Sequence, residues 1–180
     1  MSARSKSATK LASVCAASAI GVLGLAVPQV NAAEKPNPGI AVDADAKTRA
    51  YAADAPSAVV AAAVVCGSGY NLYRADPLPD LDTRQGTLFV YIKGTNGASN
   101  DTPTCSIFDN NTGSTKWMKL KLCSNYTADG CATDQGNFSQ YAGPVYRTRG
   151  GCGTVTALMK TTESASKYII NAVRDATNCN

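Results

Sequence analysis

The residues most able to do chemistry are carboxylates: Asp76, Asp80, Asp82, Asp101, Asp109, Asp134 and Glu163. A glycosidase or lysozyme-like wall hydrolase would need two of them, one protonated and one ionised, across a sugar. The densest group is Asp76-Pro77-Leu78-Pro79-Asp80-Leu81-Asp82. Its prolines read as an exposed loop with solvated acids, and no EF-type glycine spacing marks it for calcium. Ser164-x-x-Lys167 has Ser–Lys dyad spacing but lacks the companion Ser-Asp-Asn and Lys-Thr-Gly motifs, so it reads as an exposed helix turn. The sequence contains no histidine. Ser-His-Asp and Cys-His nucleophile systems and His-ligated metals are thereby left out, and no C-x₂-C spacing suggests a cysteine zinc site. The expectation is a protein with no catalytic, cofactor or metal residues.

Binding signals are equally sparse. Lys116, Lys119 and Lys121 with Trp117 read as the solvated face of a strand with snorkelling stems, not as a nucleic-acid surface. Tyr141, Tyr146 and Tyr168 read as core or rim packing. Asn100, Asn110, Asn125 and Asn137 each begin an N-x-S/T triplet, which places those segments at a polar surface.

Compartment is more legible. Arg4, Lys6 and Lys10 precede an apolar run from Leu11 to Val27, and Val30-Asn31-Ala32 ends it with small residues. That order is a secretory signal peptide over 1–32. Three of the 17 basic residues and none of the 13 acids lie there, leaving 14 against 13, a net +1. The basic balance is an export device rather than a mark of nucleic-acid or membrane partners. Cys15 leaves with the signal. Cys66, Cys105, Cys123, Cys131, Cys152 and Cys179 remain, and an even count behind an export signal reads as a disulfide framework. Six cysteines permit about 15 pairings, and sequence does not choose among them. Cys123 and Cys131 bracket the polar loop SNYTADG, which suggests a local clamp. Cys66 with Cys105 and Cys152 with Cys179 would then tie down each end.

The elements that must carry these residues divide by composition. Residues 33–63 are rich in Ala, Asp and Pro. Asp43/Lys47 and Asp45/Arg49 favour a short helix, but no apolar stripe appears before Val59. The segment therefore reads as a flexible leader, with VVAAAVV (59–65) as the transition into the fold. Residues 64–180 read as a disulfide-stabilised β domain. Short β-rich runs are expected at Tyr70–Arg74, Thr87–Lys93, Thr104–Phe108, Lys116–Cys123, Phe138–Tyr141, Val145–Arg149, Thr154–Met159 and Tyr168–Val173. TLFVYIK and KWMKLKLC alternate with period two, the second with lysines on its wet face. Asn96-Gly97 and Asn111-Thr112-Gly113 are turn chemistry. The fold class expected is all-β: a compact antiparallel sandwich or small barrel stapled by disulfides.

Several stretches carry a resemblance. Cys66-Gly67-Ser68-Gly69-Tyr70 opens the compact region, and Gly86-Thr87-Leu88-Phe89-Val90-Tyr91 follows. The longest block is Asp134-Gln135-Gly136-Asn137-Phe138-Ser139-Gln140-Tyr141-Ala142-Gly143-Pro144-Val145-Tyr146. Gly151-Cys152-Gly153-Thr154-Val155 and Cys179 complete the pattern. This resembles the spore-associated protein A family of small secreted proteins from filamentous sporulating bacteria, over roughly 66–179. The cysteines at 66, 105, 152 and 179 fit the family's positions, whereas Cys123 and Cys131 look like an added pair. Where family members carry Trp-Gly-Gly after Cys152, this chain has Val155-Thr156-Ala157. The resemblance implies a location at the spore or filament surface or in culture fluid. It implies no catalytic activity, so no functional residues carry over.

The function expected is therefore a non-enzymatic secreted protein at the spore or cell surface. Its partner would be a wall or spore-surface component or a secreted protein. A secreted binding module or protease inhibitor using the 123–131 loop is the alternative.

Overall fold

The computed structural model describes residues 39–94 and 98–179. The signal peptide and the Asn96-Gly97 turn lie outside the described residues. The chain runs α1 (Ala46–Asp54), α2 (Pro56–Cys66), β1 (Tyr70–Leu78), β2 (Gly86–Lys93), β3 (Thr104–Asn110), β4 (Lys116–Cys123), a 3₁₀ turn (Thr127–Asp129), β5 (Cys131–Phe138), β6 (Tyr141–Arg147), β7 (Thr154–Lys160) and β8 (Ile170–Asp175). The strands form two antiparallel four-stranded sheets, ordered β1-β2-β3-β6 and β5-β4-β7-β8. The sandwich form of the expectation is the one realised.

The alternations place the core. Leu88, Val90 and Phe108 of the first sheet meet Met118, Leu120, Leu122, Val155, Ala157 and Met159 of the second. Lys119 and Lys121 of β4 fall on the opposite face and are half-exposed. β2 is buried on both sides. Its other face, Phe89 and Tyr91, packs with Leu72, Ala75 and Ile107 beneath the helices.

Those helices correct the flexible-leader expectation for residues 39–63. Val59, Ala62, Ala63 and Cys66 of α2 are spaced i, i+3, i+4, i+7 and dock on the first sheet. The stripe is made of small residues, so it lacks the weight of a Leu- or Phe-rich helix face, yet small side chains let a helix sit close. α1 contributes little more than Tyr51 and Thr48. The Asp45 carboxylate caps it by accepting from the Thr48 amide (2.6 Å), and Pro56 starts α2. Residues 39–41 extend the edge of β1, with Ala41 N donating to Leu72 O (2.8 Å) and Leu72 N to Gly39 O (2.9 Å).

Three strand expectations also change. Cys131–Phe138 is a strand although its residues are largely polar, because it is an edge strand paired only to β4. The run expected at Phe138–Tyr141 is instead the turn that joins β5 to β6. β1 extends through Asp76 and Pro77, so the first acid of the Asp-Pro cluster is in a strand rather than a solvated loop. Pro77 is tolerated because β1 is an edge strand.

Candidate functional site

The three disulfides are Cys66–Cys105, Cys123–Cys131 and Cys152–Cys179, spanning 39, 8 and 27 residues. The first fastens the end of α2 to β3. The second joins residues directly opposite one another on β4 and β5. The third ties the C-terminal segment to the turn before β7.

The second and third disulfides converge on one end of the sandwich. Residues 124–130 are closed by Ser124 N donating to Gly130 O (3.0 Å), with Gly130 at φ 64°. The Ser124 hydroxyl donates to the Arg149 carbonyl (2.6 Å) and accepts from Tyr126 N (3.1 Å). The Arg149 guanidinium grips Asp129 in a fork, Nε to Oδ2 at 2.8 Å and Nη2 to Oδ1 at 2.5 Å. It also lies 4.0 Å over the Tyr126 ring. That fork holds the Asp129 carboxyl below its ordinary range. Ser124 and Asp129 of this loop both engage Arg149, which also covers the Tyr126 ring, and such bracing preorganises a loop. Glycines allow the tight approach beside it: a side chain on Gly153 would collide with the Cys123 carbonyl, and one on Gly151 with that of Ser99.

Between this loop, the 98–102 turn and the C-terminal segment lies a groove of about 630 Å³, lined by Asn100, Asn125, Asp175, Thr177, Asn178 and the Cys152–Cys179 disulfide. Asn125 Nδ2 donates to Asn100 Oδ1 (3.0 Å). Thr177 Oγ1 donates to Gly151 O (2.6 Å), and Asn178 N to the Tyr73 hydroxyl (3.0 Å). Amides, a carboxylate and a hydroxyl can exchange hydrogen bonds with a polar ligand. The groove is thus a polar concavity built from residues that no sequence motif linked.

The carboxylates singled out from sequence are dispersed. Asp76 is buried among Lys47 (3.8 Å), Arg74 (3.4 Å) and Arg174 (3.4 Å), bridging β1 to β8 at the open side of the sandwich. Asp80 caps the β1–β2 loop, accepting from Thr83 N (2.7 Å) and Thr83 Oγ1 (2.8 Å), which hold its carboxyl low. Asp82, Asp101 and Glu163 are exposed in turns and loops. Asp134 accepts from Gly143 N (2.7 Å) and stitches β5 to β6. Asp109, opposite Thr87 across β2 and β3, is pushed up to about 6 by burial, against the pull of Arg84. Asp76 and Asp109 point to opposite faces of the first sheet.

The remaining residues separate similarly. Ser164 and Lys167 are exposed in the irregular β7–β8 loop, not on a helix turn. Tyr141 packs against the helix-side cluster. Tyr146 donates to Val65 O (3.1 Å). Tyr168 is at the other sheet, with Lys160 5.4 Å over its ring. Asn100, Asn125 and Asn137 are exposed as expected, but Asn110 is buried. Its amide donates to Ser114 O and Phe138 O (both 2.9 Å) and holds the β3–β4 turn. Among the described residues no cluster of His, Cys, Asp and Glu could hold a metal ion. Comparison with family models, with curated proteins and with solved structures finds no match to this chain.

Proposed function

We propose that this chain is exported and acts as a non-enzymatic binding protein held at the spore or cell surface. The observation that carries the reading is the fate of its cysteines. All six downstream of the export-type segment are consumed in disulfides, a usage that belongs to an oxidising compartment. The resemblance to the spore-associated protein A family supports the surface location. The groove and its braced loop supply a rigid polar surface for a wall component or a secreted protein. Stripping intact spores and filaments with salt or detergent and probing for the chain tests this. Recovery in the stripped fraction supports it; recovery in the medium alone contradicts surface association.

The braced 124–130 loop favours a second reading, a protease inhibitor. Such loops bind because little entropy remains to be lost. Incubation of the oxidised protein with a panel of extracellular proteases decides, and inhibition of none retires it.

A further inference from the structure

The open side of the sandwich, between the edge strands β1 and β8, gathers three cations around one carboxylate. Asp76, 5 % exposed, meets Lys47 of α1 at 3.8 Å, and Arg74 of β1 and Arg174 of β8 at 3.4 Å each. Charge-assisted hydrogen bonds run at about 2.7–2.9 Å, so all three contacts are long. Neither guanidinium forms a two-pronged hydrogen bond with the carboxylate.

Arg74 is the cation most short of acceptors. Its side chain is 15 % exposed, and its Nη2 reaches Asn178 Oδ1 only at 3.4 Å. Its buried Nε has no hydrogen-bond partner among the described residues. A guanidinium carries five N–H donors, and a buried donor without an acceptor is costly. Two further acids lie nearby. Asp45 feels both Arg74 and Lys47, but its carboxylate is occupied in capping α1. Asp175, next to Arg174 in sequence, lies on the opposite, exposed face of β8. Three cations thus face Asp76 and Asp45, with one positive charge in excess. The side chains of Arg174 and Lys47, 40 % and 61 % exposed, open the cluster to solvent.

We propose that this cluster binds a small oxyanion that still carries a proton, inorganic hydrogenphosphate, between β1 and β8. Its bare oxygens accept from Arg74, Arg174 and Lys47, which supplies the acceptors those donors lack and offsets the excess charge. Its hydroxyl donates to Asp76. An ionised carboxylate is an acceptor only. Sulfate, without a proton at neutral pH, sets acceptor against acceptor at Asp76 and adds like-charge repulsion. Hydrogenphosphate turns the same contact into a hydrogen bond. The three cations therefore give the attraction, and Asp76 gives the choice between two anions of the same shape. A neutral polyol leaves the excess positive charge unmet.

The test is titration of the purified, oxidised chain with inorganic phosphate, and separately with sulfate, at constant ionic strength. Binding is read by calorimetry and by the shift in melting temperature. Saturable one-site binding of phosphate is expected, with sulfate about tenfold weaker or more. Arg174→Gln, at the exposed rim of the cluster, should weaken phosphate binding by about tenfold. Lys119→Gln, on the outer face of the second sheet, should leave it unchanged. Asp76→Asn replaces the selecting acceptor with an amide that can donate, and should bring sulfate level with phosphate. Neither heat nor a melting shift with phosphate up to about 10 mM overturns the proposal. So does sulfate binding as tightly as phosphate in the unaltered chain, an equal loss in Lys119→Gln, or a preference for phosphate that persists in Asp76→Asn.

Discussion

Asp109 sits at the margin of the helix-covered face, where burial works against its charge and Arg84 compensates only in part. Tyr91 and Tyr51 lie on the same side; Tyr51 accepts a hydrogen bond from Arg84 Nη1 (2.9 Å) and shares one with Thr87 (3.3 Å). A carboxyl raised in the folded state keeps its proton longer there, so ionisation opposes folding. Its contribution to stability is greatest below about pH 4 and is lost as pH rises through about 6. Asp109→Asn should therefore stabilise the protein at pH 7.5 by about 1 kcal/mol, after allowance for partial solvent access. Urea unfolding should show that gain vanishing near pH 4. Asp76 is a buried carboxylate among three cations. Asp76→Ala leaves Arg74 without its partner and should cost about 3 kcal/mol, seen as a lower urea midpoint. Arg149→Ala removes the fork on Asp129 and the cover over Tyr126. Limited proteolysis should then cut within 124–130 at least several-fold faster, with little change in the global unfolding midpoint. None of these three roles is written in sequence: each depends on which residues strand pairing and helix docking bring alongside.

Legibility among the elements follows how each one buries its side chains. β4 was readable to the residue, because one face meets the core and the other meets water, so apolar and lysine residues alternate. β2 was readable because both faces are buried. β5 was not, since an edge strand with a polar outer face has the composition of a loop. The docked helices were hidden because a stripe of Val, Ala, Ala and Cys has little apolar weight, and because burial of Tyr51 depends on a sheet distant in sequence. The disulfides join these elements, and loop length orders their effect. By chain entropy, losing Cys66–Cys105 should cost about 4 kcal/mol, Cys152–Cys179 about 3.5 and Cys123–Cys131 about 2.5. Paired Cys→Ser variants melted side by side check the order, which reverses if the 124–130 loop carries more of the stability than its span implies.

For the whole molecule, two sheets with unlike outer faces make a two-sided object. One side is closed by helices and a long-range disulfide. Over the other lies no described element, and one end carries the groove and its braced loop. The fold class and the cysteine framework were legible from alternation, turn spacing and count. The groove was not, because Asn100, Asn125, Asp175 and Asn178 come from three separate segments that meet only when β8 and the 98–102 turn are in place. We propose an exported protein of the cell exterior whose six cysteines at 66, 105, 123, 131, 152 and 179 are all paired. The most direct measurement is non-reducing peptide mass spectrometry of the chain recovered from the producing cells' surface and medium. The expected product is a chain lacking residues 1–32, with cross-linked peptides joining Cys66 to Cys105, Cys123 to Cys131 and Cys152 to Cys179. A chain recovered inside the cell with Cys15 retained and these thiols free would contradict it.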